Sequence, residues 1–140
     1  MKKYMLDTNT VSYLIKGHPY VTERVISTPI NSLYISAITE GELHFGLAKR
    51  PHAKDLHQLV KEFLKRVDTL PWESSTAEKY GITRAKMANK GKALAPLDLL
   101  IATHALSLNM TLVSSDKAFA QLPELHVEDW STPIKFKMDK

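Results

Sequence analysis

Four carboxylates stand where chemistry could be done: Asp7, Glu42, Asp98 and Asp116. Asp7 directly follows the apolar run Tyr4-Met5-Leu6, and Asp116 follows the β-compatible run Thr111-Leu112-Val113-Ser114. If both runs are strands of one open α/β sheet, both acids fall at its carboxyl edge, where such sheets bind ligands. Asp98 lies inside Leu97-Asp98-Leu99-Leu100-Ile101-Ala102, and helical spacing puts Ile101, Ala102 and Ala105 on its own face. An ionised carboxylate on such a face costs on the order of several kcal/mol unless a cation or hydrogen bonds compensate. Glu42 shares a helix face with Ile38, Phe45 and Gly46, whereas Glu40 points to nearly the opposite side.

Carboxylates converging on one edge repel, and like charges close together cannot all stay ionised unaided. A divalent cation resolves that repulsion. Mg²⁺, with Mn²⁺ as the alternative, prefers carboxylate oxygen and retains water for chemistry. Such a site suits phosphoryl transfer by in-line attack of water on phosphorus. Each acid also has a plainer reading. Asp7 could be only a helix N-cap and Asp116 only a turn former. Asp98 could be a first-turn residue favoured by the helix dipole. Glu42 could be a surface residue paired with Lys49 or Arg50.

The elements that must position these acids alternate. Strands are expected at 4–6, 33–36, near 69–70, at 111–114 and at 125–127. Between them, Thr8 to Gly17 suits a short helix, Pro19 opens a second running to about Ser27, and 38–50 suits a third. Pro51 is expected to open a fourth, in which Leu56, Leu59, Val60, Phe63, Leu64 and Val67 give an amphipathic stripe. Ser74 or Ser75 is expected to cap a polar-faced helix ending at Gly91, and the most apolar helix runs from Leu97 to Leu108 after Pro96. Strands alternating with helices argue a parallel, doubly wound α/β sheet. No repeat or long linker interrupts the chain, so 1–132 reads as one domain and 133–140 as a basic tail.

Composition excludes several classes. No cysteine is present, which removes disulfides, zinc–thiolate sites, iron–sulfur clusters and thiol nucleophiles. No apolar run of roughly 7–15 residues follows Lys2 and Lys3, and no stretch approaches the ~20 apolar residues of a membrane span, so the expected compartment is the cytoplasm. The net charge of +4 is a mild bias towards polyanions, and setting four of the 15 acids aside at a metal raises it to +8.

The four motifs together resemble a known family. Tyr4-Met-Leu-Asp7-Thr8-Asn9, Ile35-Ser-Ala-Ile-Thr39-Glu-Gly-Glu42-Leu43, Asp98-Leu-Leu-Ile101-Ala102-Thr-His-Ala105 and Leu112-Val-Ser114-Ser-Asp116-Lys-Ala-Phe119 resemble PIN domains. More narrowly they are similar to the VapC toxins of type II toxin–antitoxin modules, over nearly the whole chain. That resemblance implies a parallel sheet flanked by helices, with Asp7, Glu42, Asp98 and Asp116 as catalytic metal ligands. Ser114 and Asn9 would support them by hydrogen bonding. It further implies Mg²⁺-dependent RNA cleavage, with a tRNA anticodon loop as the target. It implies homodimerisation, inhibition by a small VapB-type antitoxin, and operator DNA bound through that antitoxin.

Other residues carry less. Arg84, Lys86, Lys90 and Lys92, with Lys49 and Arg50, form either a solvated face or a phosphate-contacting rim. The six histidines show no zinc-ligand context, and His104 fits core packing. Trp72 and Trp130 fit packing better than base stacking. A phosphatase with a nucleophilic aspartate would want Asp-x-Asp-x-Thr, and Asp7-Thr8-Asn9-Thr10 lacks the second aspartate. A nucleic-acid binding module with structural acids is the alternative from a different class.

Overall fold

The strand before Asp7 passes directly into a helix, the strand before Asp116 leads through two serines into a 3-10 turn, and the sheet so built is parallel throughout. The computed structural model describes residues 2–133, so all but the first residue of the tail expected at 133–140 lies outside the described residues. In chain order the elements are β1 (Tyr4–Leu6), α1 (Thr8–Ile15), α2 (Pro19–Ile26), β2 (Leu33–Ser36), α3 (Ala37–Ala48) and α4 (Lys54–Arg66). Then follow β3 (Asp68–Leu70), α5 (Ser74–Asn89), α6 (Pro96–Ser107), β4 (Thr111–Val113) and β5 (Val127–Glu128).

The strand order is β3-β2-β1-β4-β5. The chain builds outward from β1 to β3, then returns to the other side of β1 with β4 and β5. That reversal between β1 and β4 is the topological switch point, where open α/β sheets leave a crevice. Tyr4 pairs with Leu33 on one side and Thr111 on the other, so β1 is central.

Side chains alternate across the central strands and divide the core in two. Met5 and Leu112 face one layer with Leu99, Ile101 and Ala102 of α6 and Met87 of α5. Leu6 and Val113 face the other with Val11, Val21, Leu43, Val60 and Phe63 from α1 to α4. The central strands are buried on both faces, which is why they read as continuous apolar runs. Helix α6 is correspondingly buried on most sides: Ile101, Ala102, Thr103, His104 and Ala105 are all within the core.

Several boundaries differ from the sequence expectation, each for a local reason. Pro51 and His52 form a turn, and α4 begins only at Lys54. Ser74 is the first residue of α5 and Glu73 occupies the cap position, so neither serine caps it through its side chain. Pro96 is the first helical residue of α6, where its missing N–H is harmless. The last strand is shifted to Val127–Glu128. A 3-10 turn over Lys117–Gln121 follows Asp116, where Asp116 Oδ1 accepts the Ala118 N–H at 2.9 Å. Gly17, Gly91 and Asn109 end helical segments with positive φ, the left-handed conformation that suits these residue types. No helix among the described residues is long and apolar enough to cross a membrane.

Trp130 closes the edge of the fold. It is 1% exposed, meets the Tyr4 ring edge-on at 5.1 Å, lies under the Arg24 guanidinium at 5.0 Å and donates Nε1–H to Glu128 at 3.0 Å. Trp130→Ala is expected to lower unfolding stability by about 3–5 kcal/mol in urea denaturation, from lost transfer energy and the cavity left behind. A loss below about 1 kcal/mol would mean that the edge relaxes around the gap.

Candidate metal centre at the sheet edge

Asp7 is held at the switch point by its own backbone and by the helix it starts. Its N–H donates to the Val113 carbonyl at 3.1 Å, extending the β1–β4 pairing by one residue. Its Oδ1 accepts the Thr10 N–H at 2.8 Å as the N-cap of α1. The Thr10 hydroxyl is occupied elsewhere, donating to the Val113 carbonyl at 3.0 Å. Asp7 is 6% exposed, and burial pushes its carboxyl above the ordinary value against the favourable hydrogen bonds from Ser114 and Thr10.

Ser114, itself buried, lies between two of the acids. Its Oγ accepts the Asp116 N–H at 3.0 Å, and its hydroxyl favours the charged form of Asp7. Asp116 is half-buried and adds a repulsive charge to Asp7. Asp98, in the first turn of α6, is also half-buried. Its carboxyl is raised first by desolvation and then by the charges of Asp116, Asp7 and Glu42. The structure therefore brings all four acids to one edge, from β1, α3, α6 and the turn after β4.

Glu42 reaches that edge with help that sequence reasoning missed. The Thr8 hydroxyl donates to Glu42 Oε1 and lies 3.5 Å from the Thr39 hydroxyl. Asn9, expected to support the acids, is exposed and makes no hydrogen bond to an acid among the described residues. One residue along a helix turns the side chain by about 100°, so Thr8 faces inward where Asn9 faces water. Nothing in the local sequence distinguishes the two, because the partner of Thr8 is 34 positions away.

Among the described residues, no three His, Asp or Glu side chains close into a ready-made metal cage. The donor set nevertheless fits Mg²⁺. That ion keeps several waters and is held by one or two carboxylates rather than by an all-protein shell. Four oxygen-bearing side chains, two of them with raised carboxyls, are the chemistry that a hard cation relieves.

The basic candidates separate by position. Lys49 and Arg50 line a cleft that includes Thr8 and Glu42. Arg84 and Lys92 line another beside Pro96 and Leu99, next to Asp98 in α6. Lys86 on α5 and Lys90, just past its end, are exposed and belong to neither lining. His104 is fully buried, and burial holds its pKa below the ordinary value. Its Nδ1 lies 2.8 Å from Ser36 Oγ, the cap of α3, and ties the helix of Asp98 to the helix of Glu42. The Pro71 carbonyl approaches the ring, but Nε2 has no hydrogen-bond partner. Trp72 donates to the Leu100 carbonyl at 3.0 Å and packs against Tyr80.

A sheet of this order with acids gathered at its switch point defines the PIN domain. The family model described as "PIN domain" matches residues 4–125, and the chain belongs to that family. Within it the similarity is to VapC proteins. The chain is 34% identical to "Ribonuclease VapC2" of Rickettsia felis over 130 residues, covering 91% of this chain and 97% of that protein. It is 33% identical to the "tRNA(fMet)-specific endonuclease VapC" of Salmonella typhimurium, covering 93% and 99%. The fold superposes on the crystal structure of DNA-bound VapBC from Salmonella typhimurium with a TM-score of 0.86 at 34% identity, covering 93% and 99%. VapBC2 from Rickettsia felis, bound to a promoter DNA fragment, gives 0.83 at 31% identity, covering 91% and 98%.

The raised carboxyls have a signed consequence for stability. A carboxyl with a folded pKa above its unfolded value binds its proton more readily in the folded state. Its penalty is complete above the raised value and is relieved as pH falls towards the ordinary carboxylate range. Metal-free Asp98→Asn is therefore expected to melt on the order of 2–4 °C above wild type at neutral pH. The gap should narrow as the pH is lowered. Calorimetry with chelator present measures it, and an equal or lower melting temperature at neutral pH would count against repulsion at this edge.

Proposed function

We propose that this protein is a metal-dependent endoribonuclease, the toxin half of a VapBC-type module. The observation that carries the reading is the convergence of Asp7, Glu42, Asp98 and Asp116 on the switch point of a PIN fold. VapC relatives named as ribonucleases, at about a third identity over nearly their whole length, support it.

Asp7, Glu42, Asp98 and Asp116 would hold Mg²⁺ or Mn²⁺. When bound, the ion supplies Lewis-acid activation of water and neutralises phosphate charge. The chain's own residues do the rest. Thr8 fixes one oxygen of Glu42, and the Thr10 N–H and Ser114 hold Asp7 in place. Ser114 also sets the position of the Asp116 backbone. Acids held in this way need little rearrangement when substrate arrives, which is where positioning contributes to rate.

The substrate we propose is single-stranded RNA, in particular a tRNA anticodon loop. An A-form duplex hides its bases in a deep, narrow groove, whereas a loop splays its strand open. One relative is named for tRNA(fMet), which is consistent with this choice. The protein partner we propose is a VapB-type antitoxin, as in the VapBC structures, with operator DNA bound through it and with the toxin as a homodimer. A groove of about 860 Å³ between α1, α2 and α4 offers it a seat, lined by Leu14, Ile15, Val25, Ile26, Leu59 and Phe63. Ile26 there is 78% exposed, an apolar side chain that a partner helix would cover.

Purified protein is expected to cut loop RNA with Mg²⁺ and to stop when chelator is added. Asp98→Asn should lower cleavage by at least about a hundredfold, the scale of losing a main charge-stabilising group. End-group analysis should find a 5′-phosphate and a free 3′-hydroxyl, since water and not the ribose 2′-hydroxyl is the nucleophile. Cyclic phosphate ends, or full activity in chelator, would rule out the carboxylate mechanism. In cells, expression alone should arrest growth, and co-expression of the cognate antitoxin should restore it. Harmless accumulation without any partner would sink the toxin reading and leave a PIN nuclease of another kind.

A further inference from the structure

We propose that the cleft between α1, α3 and α4, rimmed by Lys16, Lys49 and Arg50, seats a backbone phosphate of the RNA next to the one being cut. The inference rests on the nuclease reading above and assigns a substrate subsite to the same edge. The cleft measures about 230 Å³ and has Thr8 and Glu42 among its lining residues, so it opens onto the acid cluster.

Three cations surround it, and among the described residues none of them makes an ion pair. Other cations do: Lys2 and Arg24 pair with Glu128, and Lys65 with Glu62. Lys49 is steadied over the Phe45 ring at 4.8 Å. Lys16 and Lys49 cap the C-terminal ends of α1 and α3, where the helix dipoles favour positive charge. That placement explains why each charge is tolerated singly. It does not explain why they share one cleft.

Gly46 is the independent observation. It lies inside α3, where glycine weakens a helix relative to alanine. A Cβ built on it meets nothing within 4 Å, so no contact within the protein requires glycine there. Gly46 lines the same cleft, so a longer side chain at that position would occupy it. Unpaired cations around such a space are suited to an anion.

An RNA phosphate fits better than a protein segment. A basic segment would meet like charge at the rim, and an apolar one has the larger groove between α1, α2 and α4. Arg84 and Lys92 line the second cleft, beside the start of α6 where Asp98 sits. The elements bearing Glu42 and Asp98 thus each border a cleft with its own cations.

Two full-chain variants test this: Lys16→Gln/Lys49→Gln/Arg50→Gln, and Gly46→Leu, which fills the cleft without backbone strain. The probe is a short fluorescein-labelled single-stranded RNA of mixed sequence. Binding is measured by anisotropy without Mg²⁺ over a salt series, and cleavage with Mg²⁺. The triple variant is expected to bind about tenfold more weakly and to flatten the log–log salt slope by about 0.7, the value of one phosphate contact on a single strand. KM should rise while kcat stays within about threefold, the pattern of a lost contact made equally in ground and transition states. Gly46→Leu should also weaken binding while melting at or above the wild-type temperature. Unchanged affinity and salt slope in both variants would overturn the proposal. So would intact RNA binding with lost antitoxin copurification, which would give the cleft to the protein partner. If the variants bind weakly but wild type cuts no RNA, the nuclease reading falls and the phosphate seat stands.

Discussion

Carboxylates from four separate elements meet at one edge of the sheet, and their mutual repulsion is the constraint around which the rest of the structure is arranged. Asp98 shows it most directly, since its carboxyl is raised by burial and then by each of the other three charges. Without a cation, such an arrangement opposes folding. It persists because the acids are fixed by elements that are stable for other reasons. Asp7 ends the central strand, Asp98 begins the most buried helix, Glu42 rides on a helix packed beneath the sheet, and Asp116 follows the neighbouring strand.

Two of these acids also stabilise local structure. Asp7 caps α1 through Thr10, and Asp116 starts a 3-10 turn through Ala118. The plain structural reading of each aspartate, as a helix cap and a turn former, therefore holds, and it is compatible with the metal-binding role proposed for both. A capping bond orients the carboxylate while satisfying a helix N–H that would otherwise lack a partner. Hydroxyls complete the arrangement: Thr8 on Glu42, and Ser114 between Asp7 and Asp116. Neutral donors suit this task because they orient acids without cancelling the charge that a cation needs.

The surface outside the acid edge divides by chemistry. Cations line clefts that include Glu42 in one case and border the start of α6 in the other, whereas the mainly apolar groove between α1, α2 and α4 contains none of the four acids. Ile15 lines both that groove and the Lys16 cleft, so the two surfaces adjoin. A protein partner seated in the groove would thus lie beside the proposed path of the RNA. Steric exclusion of the RNA would then suffice for inhibition, with no change in this protein's fold.

The sequence by itself determined the parallel α/β class and the four acids. Its signals are local: strand runs ending abruptly at Asp7 and before Asp116, and a carboxylate set among apolar neighbours at Asp98. The helix expected to open at Pro51 begins at Lys54, and the cap expected at Ser74 or Ser75 is Glu73, since a proline or serine near a helix suits more than one position. Only the tertiary structure decided what holds the acids. Thr8 rather than Asn9 turns inward to Glu42, His104 reaches Ser36 across 68 positions, and Lys16 joins Lys49 and Arg50 at one cleft. Each depends on how α1, α3 and α6 pack against one another, and the relative rotation of two packed helices is set by the whole core between them. No window of sequence contains that information, because the contacts that fix it are made between residues far apart in the chain.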